Sequence, residues 1–439
     1  MHPACTRIFA LIAVLGAPGI AAQVRQLDHV GVAGGNSFHT NSSHGRAMSR
    51  NGRWVVFRSN DTTLVPGSSN GHSQVYLVDR QTRAAAFISV GLDGPGNGDS
   101  FNATISHDGR YIAFWSEASN LVPGDSNNIG DIFVRDRIAG TTKRVNVGPG
   151  NLQATAESNY PAISGDGRIV AFMSTALELA NDLNGQAQVF VHDRSTGTTE
   201  LISRTPQNGP GLGTSREPAL SGDGRFVAFE SNARDLVPGD GNFVDDIFVF
   251  DRVDSTMARV SNRVDGSASS NGSYGPSISD DGRIVAFHAN GSMLPEDSNG
   301  QVDGYVFDRA TQVLRRATLS HLQGQLNFGA FYVVISGDGQ WVAFTSSSSD
   351  TVPGAVGGIR NDIYVRRLSD GLVRRVSVNS NGVQPDDSSN FPTIGRDGTL
   401  VGFASQATNL LPTVGAPTAE HAVYIATPDI DEVNADGFE

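Results

Sequence analysis

Apolar residues along this chain come in runs of four to seven, each bounded by Gly, Asp, Asn or Pro. The runs are rich in β-branched and aromatic residues and are too short for helices, so they read as strands. The clearest series is Phe101-Asn-Ala-Thr-Ile-Ser106, Tyr111-Ile-Ala-Phe-Trp115, Asp131-Ile-Phe-Val-Arg-Asp-Arg137 and Thr141-Thr-Lys-Arg-Val-Asn-Val147. Asp108-Gly109 between the first two runs is a strong hairpin signal. A long loop, 118–130, and a short turn at Ile138-Ala-Gly140 make the other connections. Second runs such as Ile169-Val-Ala-Phe172 and Phe226-Val-Ala-Phe229 are apolar throughout, which requires cover on both faces of the sheet. The fourth runs are more polar, as befits an outer edge.

The series recurs. The glycine of the Asp-Gly turn stands at 52, 109, 167, 224, 282, 339 and 398, in steps of 57 to 59 residues. Seven four-stranded antiparallel meanders predict an all-β, seven-bladed β-propeller. Its inner strands should start near 45, 101, 159, 216, 274, 331 and 391. The seventh repeat stops after three strands, and Val24–Val32 occupies the place of the missing fourth. Residues 24–33 are therefore expected to complete blade 7 and remove the open sheet edge. The propeller is assigned to 23–428 and an acidic tail to 429–439.

Composition narrows the function. With 51 Gly in 439 residues and 18% charged residues, long helices are excluded; 38% hydrophobic residues argue against global disorder. A net charge of −13 makes nucleic acid a poor partner. Arg7, the apolar run Ile8–Leu15 and Ala21-Ala22 read as a cleaved signal peptide over 1–22, hence a secreted or periplasmic bacterial protein. The single cysteine, Cys5, would leave with it, removing disulfides and thiol chemistry from the mature chain. No run is long enough to span a bilayer, and a monomer is expected.

Ser221-Gly-Asp-Gly-Arg-Phe-Val-Ala-Phe-Glu-Ser231, followed by Asp246-Ile-Phe-Val-Phe-Asp-Arg252, resembles the WD40-like repeat of TolB-type β-propellers, over about residues 24–427. The resemblance implies a periplasmic or secreted binding scaffold.

The long loops carry Asp-x-Asn-x-x-x-Asp: Asp125, Asn127 and Asp131; Asp240, Asn242 and Asp246; Asp297, Asn299 and Asp303. Such oxygens suit Ca²⁺, although a full site supplies six or more; the alternative is Asx-turns that hold the loop backbone. The recurring pairs Asp136-Arg137, Asp193-Arg194, Asp251-Arg252 and Asp308-Arg309 read as turn chemistry and strand-end ion pairs. There is no His-x-His spacing, no Gly-x-Ser-x-Gly elbow and no phosphate loop. The length leaves no room for a hydrolase domain beside the propeller. A protein or glycan partner is expected on the long-loop face, around 118–130 and 234–245. The leading expectation is a scaffold that catalyses nothing. Its rival is an enzyme sited in the channel, such as a polysaccharide lyase or glycosidase, which needs convergent carboxylates. Asn102, Tyr160, Arg216 and Glu217 are the inner-strand residues offered for it.

Overall fold

Each run of the repeat forms a strand in the computed structural model, which describes residues 24–29, 46–411 apart from 62–63, 69, 182, 356 and 359, and 422–429. The signal peptide, residues 30–33, Asp182 and the tail beyond 429 lie outside the described residues. Blade 2 pairs Ser100–Ile105, Tyr111–Ser116, Asp131–Asp136 and Thr141–Arg144 in sequence order, every pair antiparallel. Blades 3 to 6 repeat this order. Blade 1 has Trp54–Ser59, Gln74–Asp79 and Ala85–Phe87, with its inner strand reduced to the bridge Met48↔Val55. In blade 7, Ser389–Ile394, Val401–Ser405 and Ala422–Pro428 are joined by Val24–His29, whose backbone pairs antiparallel with the last strand from Val24↔Pro428 to His29↔Tyr424. The protein is a seven-bladed β-propeller.

One aromatic pair marks every blade. It joins directly opposed residues of the second and third strands: Phe57–Tyr76, Phe114–Phe133, Phe172–Phe190, Phe229–Phe248, Phe287–Tyr305, Phe344–Tyr364 and Phe403–Tyr424. Centroids lie 5.5–6.2 Å apart, and each such pair adds about 0.5–1.5 kcal/mol beyond its buried area. This explains why the second strands do not alternate: the rings fill the space between neighbouring blades, as in the core around Phe172 and Phe190.

The tight-turn face is riveted by arginines. Asp136 does not pair with its neighbour Arg137, as the sequence suggests. It takes a forked ion pair from Arg110 of the Asp-Gly-Arg turn, at 2.7 Å. Arg137 instead donates to the Gly109 carbonyl and lies 3.8 Å over the Trp54 ring of the preceding blade. The same division holds for Arg168–Asp193, Arg225–Asp251 and Arg283–Asp308. Gly109, at φ +73, is forced: a Cβ there would come within 2.3 Å of Trp54.

Main-chain hydrogen bonds pass from blade to blade around the channel at this end. Arg50 donates to His107, His107 to Gly165, Gly165 to Gly222, Gly222 to Asp280 and Asp280 to Gly337, at 2.7–3.0 Å; Asp338 donates to Arg396. The inner strands are thus pinned at their ends, which fixes the wall of the channel.

Candidate functional site

In blades 2 to 7 the inner strand carries a bulge near its beginning. The residue at the bulge is left-handed: Asn102, Tyr160, Glu217, Tyr332 and Phe391 at φ +51 to +58, and Gly275 at +67. Non-glycine residues held there cost on the order of 1–3 kcal/mol each. A bulge also re-aims the side chain it carries. These side chains meet around the long-loop mouth of the channel. Asn102 donates to Asn159 of the next blade at 2.8 Å, and Tyr332 packs on Phe391 with centroids 5.1 Å apart.

The backbone at this mouth repeats but the side chains do not. The penultimate residue of the second strand is Arg58, Trp115, Met173, Glu230, His288, Thr345 and Ala404 in turn. Its partner on the inner strand is Phe101, Asn159, Arg216, Tyr274, Phe331 and Asn390 in blades 2 to 7. Among the described residues, blade 4 alone puts carboxylates in both the bulge position and the second-strand position: Glu217 and Glu230.

Glu230 is 2% exposed. Its carboxylate accepts from Arg216 Nε at 2.5 Å and from the Gly275 backbone N–H at 3.0 Å. Arg216 reaches on to Asp245, just before the third strand, at 3.1 Å. Burial first, then the nearby charge of Glu217, push Glu230 up to about 8 in spite of Arg216. Glu217 is half-buried. Tyr160 of blade 3 and Tyr332 of blade 6 are raised by burial and then by the charge of Glu217. Tyr274, 5.9 Å from His288, is raised by burial and by Asp245 and Glu230. Phe101 stacks on Trp115 at 5.2 Å with Arg58 over the free side of the pair. The result is a mouth with a buried carboxyl whose surroundings favour its protonated form, a second acid next to it in the same blade, and aromatic side chains around them.

Of the residues offered from sequence for a channel site, Arg216, Glu217 and Tyr160 fall in this cluster, and Asn102 stands in the adjoining ring. Glu230, Asp245 and His288 were missed.

The Asp-x-Asn-x-x-x-Asp loops carry different chemistry. In blade 2, Arg144 of the outer strand inserts between Asp125 and Asp131, at 3.2 and 3.1 Å. Arg259 sits likewise between Asp240 and Asp246, and Arg316 between Asp297 and Asp303. Asn127 and Asn242 donate to the second aspartate and to a loop carbonyl, while Asn299 donates to the Leu326 carbonyl. Asn127, Asn242 and Asn299 also accept from a backbone N–H two residues on, the Asx-turn geometry. The guanidinium takes the place a Ca²⁺ ion would need, so these donor sets do not fit the ion as they stand. The blades agree among themselves. Blade 6 keeps Asp362 with Arg375. Where the second aspartate is Gln188 or Gln74, the outer-strand residue is Leu201 or Phe87. Losing the buried acid removes the need for the buried base.

No family model matches the chain. A probable dipeptidyl-peptidase 5 from Aspergillus niger is 35% identical over 85 residues, 18% of this chain. This chain spans only 12% of that relative's length. Solved structures of similar fold include an oligogalacturonate lyase in complex with manganese, at TM-score 0.55, 15% identity and 90% coverage of both chains. The β-propeller domain of the trilobed protease from Pyrococcus furiosus matches at TM-score 0.53, 12% identity, over 90% of this chain and 99% of that one. A TolB protein from Agrobacterium tumefaciens is also a neighbour, at TM-score 0.41 and 17% identity, over 80% of this chain and 96% of that one. These likenesses correct one expectation. A chain of this fold cannot be set down as a scaffold that catalyses nothing, because a lyase is among its near neighbours in structure and a peptidase is its curated relative. Among the described residues no helix is long and apolar enough to cross a membrane. In fold the protein is a seven-bladed propeller similar to an oligogalacturonate lyase and to the propeller domain of the trilobed protease.

Proposed function

We propose that the protein is a secreted or periplasmic carbohydrate-cleaving enzyme whose site is the long-loop mouth of the channel in blade 4. The observation that carries this reading is the pairing of Glu217 with the buried, proton-retaining Glu230 at the one blade where both positions hold acids. Acid–base cleavage of a glycosidic bond needs one carboxyl that keeps its proton near neutral pH and one that does not. Glu217, half-buried, is the group in reach of a sugar; Glu230, buried beside Arg216, is the carboxyl whose protonated form is favoured. Arg216 and Asp245 hold Glu230 in place. Tyr160, Tyr274 and Tyr332 offer flat apolar faces on which sugar rings stack. The long loops of blades 2 and 4 frame the approach of a chain-like glycan.

The test is incubation of the mature protein with a panel of neutral and acidic polysaccharides. Hydrolysis would give new reducing ends without unsaturated sugar, and these would vanish in Glu217→Gln. Unsaturated uronate products would replace hydrolysis by elimination. Unchanged glycans, with no binding by calorimetry, would end the reading.

A further inference from the structure

The other end of the channel is also built once. The variable position of Ser-x-Asp-Gly is His107, Gly165, Gly222, Asp280 and Gly337 in blades 2 to 6, with Arg50 of Ser-Arg-Asn-Gly in blade 1 and Arg396 at the matching place in blade 7. Arg46 crosses the channel here. Its guanidinium donates to the Leu220 carbonyl at 3.3 Å and pairs with Asp280 at 2.7 Å. His107 Nε2 lies 3.0 Å from Arg46 and 3.2 Å from Asp280, and Arg396 stands 3.9 Å from the other Asp280 oxygen. Arg50 lines the same cavity.

Three of the blades give up their side chain to make room. None of Gly165, Gly222 and Gly337 has the left-handed backbone that would demand glycine. A Cβ at Gly165 would meet His107 at 2.3 Å, one at Gly222 would meet His107 and Asp280 at 3.1 Å, and one at Gly337 would meet Asp280 at 2.7 Å and Arg396 at 3.2 Å. These glycines serve the cluster, and the cluster is therefore a constructed feature of the channel.

Its charge does not balance. Arg46, Arg50 and Arg396 face one carboxylate, Asp280, with His107 beside them. The turn aspartates do not line this cavity: each turns back to accept from its own turn, Asp108 from Ser106, Asp281 from Ser279 and Asp338 from Ser336. A concave cationic site in a chain of net charge −13 calls for an anion. Arginine forks match oxyanions with two or more coplanar oxygens.

We propose that this end of the channel binds a small oxyanion, the carboxylate of an acidic sugar or a mineral phosphate or sulfate, between Arg50, Arg396 and Arg46. The site lies six residues along the inner strand from Tyr274, about 20 Å at strand rise. It does not depend on the reading given to the Glu217–Glu230 mouth.

Calorimetry on the full mature chain with glucuronate, inorganic phosphate and sulfate tests it. At least one should bind at a single saturable site, and the Arg50→Gln/Arg396→Gln variant should bind at least about tenfold more weakly. Both arginines are exposed enough for that variant to fold. Asp280→Asn, which removes the internal competitor, should bind more tightly. Glu217→Gln should bind as the wild type does, which separates this site from the proposed active site. Glucuronate alone binding identifies an acidic sugar; phosphate or sulfate binding identifies a mineral anion. No binding by any of the three, or equal binding by the double-arginine variant, overturns the proposal.

Discussion

The outer rim of the tight-turn face and the long-loop mouth of the channel are made from the same repeat, yet they treat it in opposite ways. At the rim, Arg110–Asp136, Arg168–Asp193, Arg225–Asp251 and Arg283–Asp308 copy one another to within 0.2 Å. At the mouth, the backbone bulge is copied while Trp115, Met173, Glu230, His288 and Thr345 share nothing. A structural role is needed once per blade and so recurs. A chemical role is needed once per molecule and breaks the pattern. In a repeat protein, the position that fails to repeat is where function should be sought.

The largest effect expected from this contrast is on turnover. Glu217→Gln should lower the rate of glycan cleavage by about 10²–10⁴-fold, as for loss of an acid–base group, with an unchanged melting temperature. The corresponding change at blade 6, Tyr332→Phe, should leave most of the rate. Equal losses at both would show that the mouth acts as a symmetric ring.

Next in size is stability in the loops. Arg144→Leu alone strands two buried aspartates and should cost about 3–5 kcal/mol. Adding Asp131→Gln, which copies the solution of blade 3, should recover most of that cost. A double-mutant cycle by denaturant unfolding reads the coupling. Additive losses would show that the Asp–Arg and Gln–Leu blades are not equivalent solutions.

A smaller effect is the pH dependence of folding. Glu230 is raised from its unfolded value near 4.5 to about 8. Its contribution is therefore full below 4.5 and is lost as pH rises towards 8. Asp136 and Asp251 behave in the opposite sense. Arg110 and Arg225 hold them down at about 2, so their contribution is present above the unfolded value near 4 and is lost as pH falls to 2. Melting curves of Glu230→Gln should lose the decline between 4.5 and 8 and keep the acid limb. The smallest effect is at the rim itself, where Arg168→Gln, at a solvent-screened pair, should scarcely move the melting temperature.

The blade count was readable because the turn glycines step so evenly. Partners at the rim were not, because adjacent residues of a strand point to opposite faces, which sends Asp136 and Arg137 to different neighbours. The loop motif hid its counter-charge for a related reason: Arg144 lies in the next strand, outside the spacing. Reading down the repeat would have found it, since Asp131 goes with Arg144 as Gln188 goes with Leu201. The mouth cluster draws Tyr160, Arg216, Glu230, Asp245 and Tyr274 from three blades, so no local spacing announces it. Its trace is Glu230, an acid in a column that is otherwise never acidic.

The most direct measurement is the pH–rate profile of glycan cleavage by the wild type and by Glu230→Gln. The account predicts a fall in rate above about pH 8 in the wild type, as Glu230 loses its proton, and its absence from a much slower Glu230→Gln enzyme. An identical profile and rate in the two proteins would contradict it.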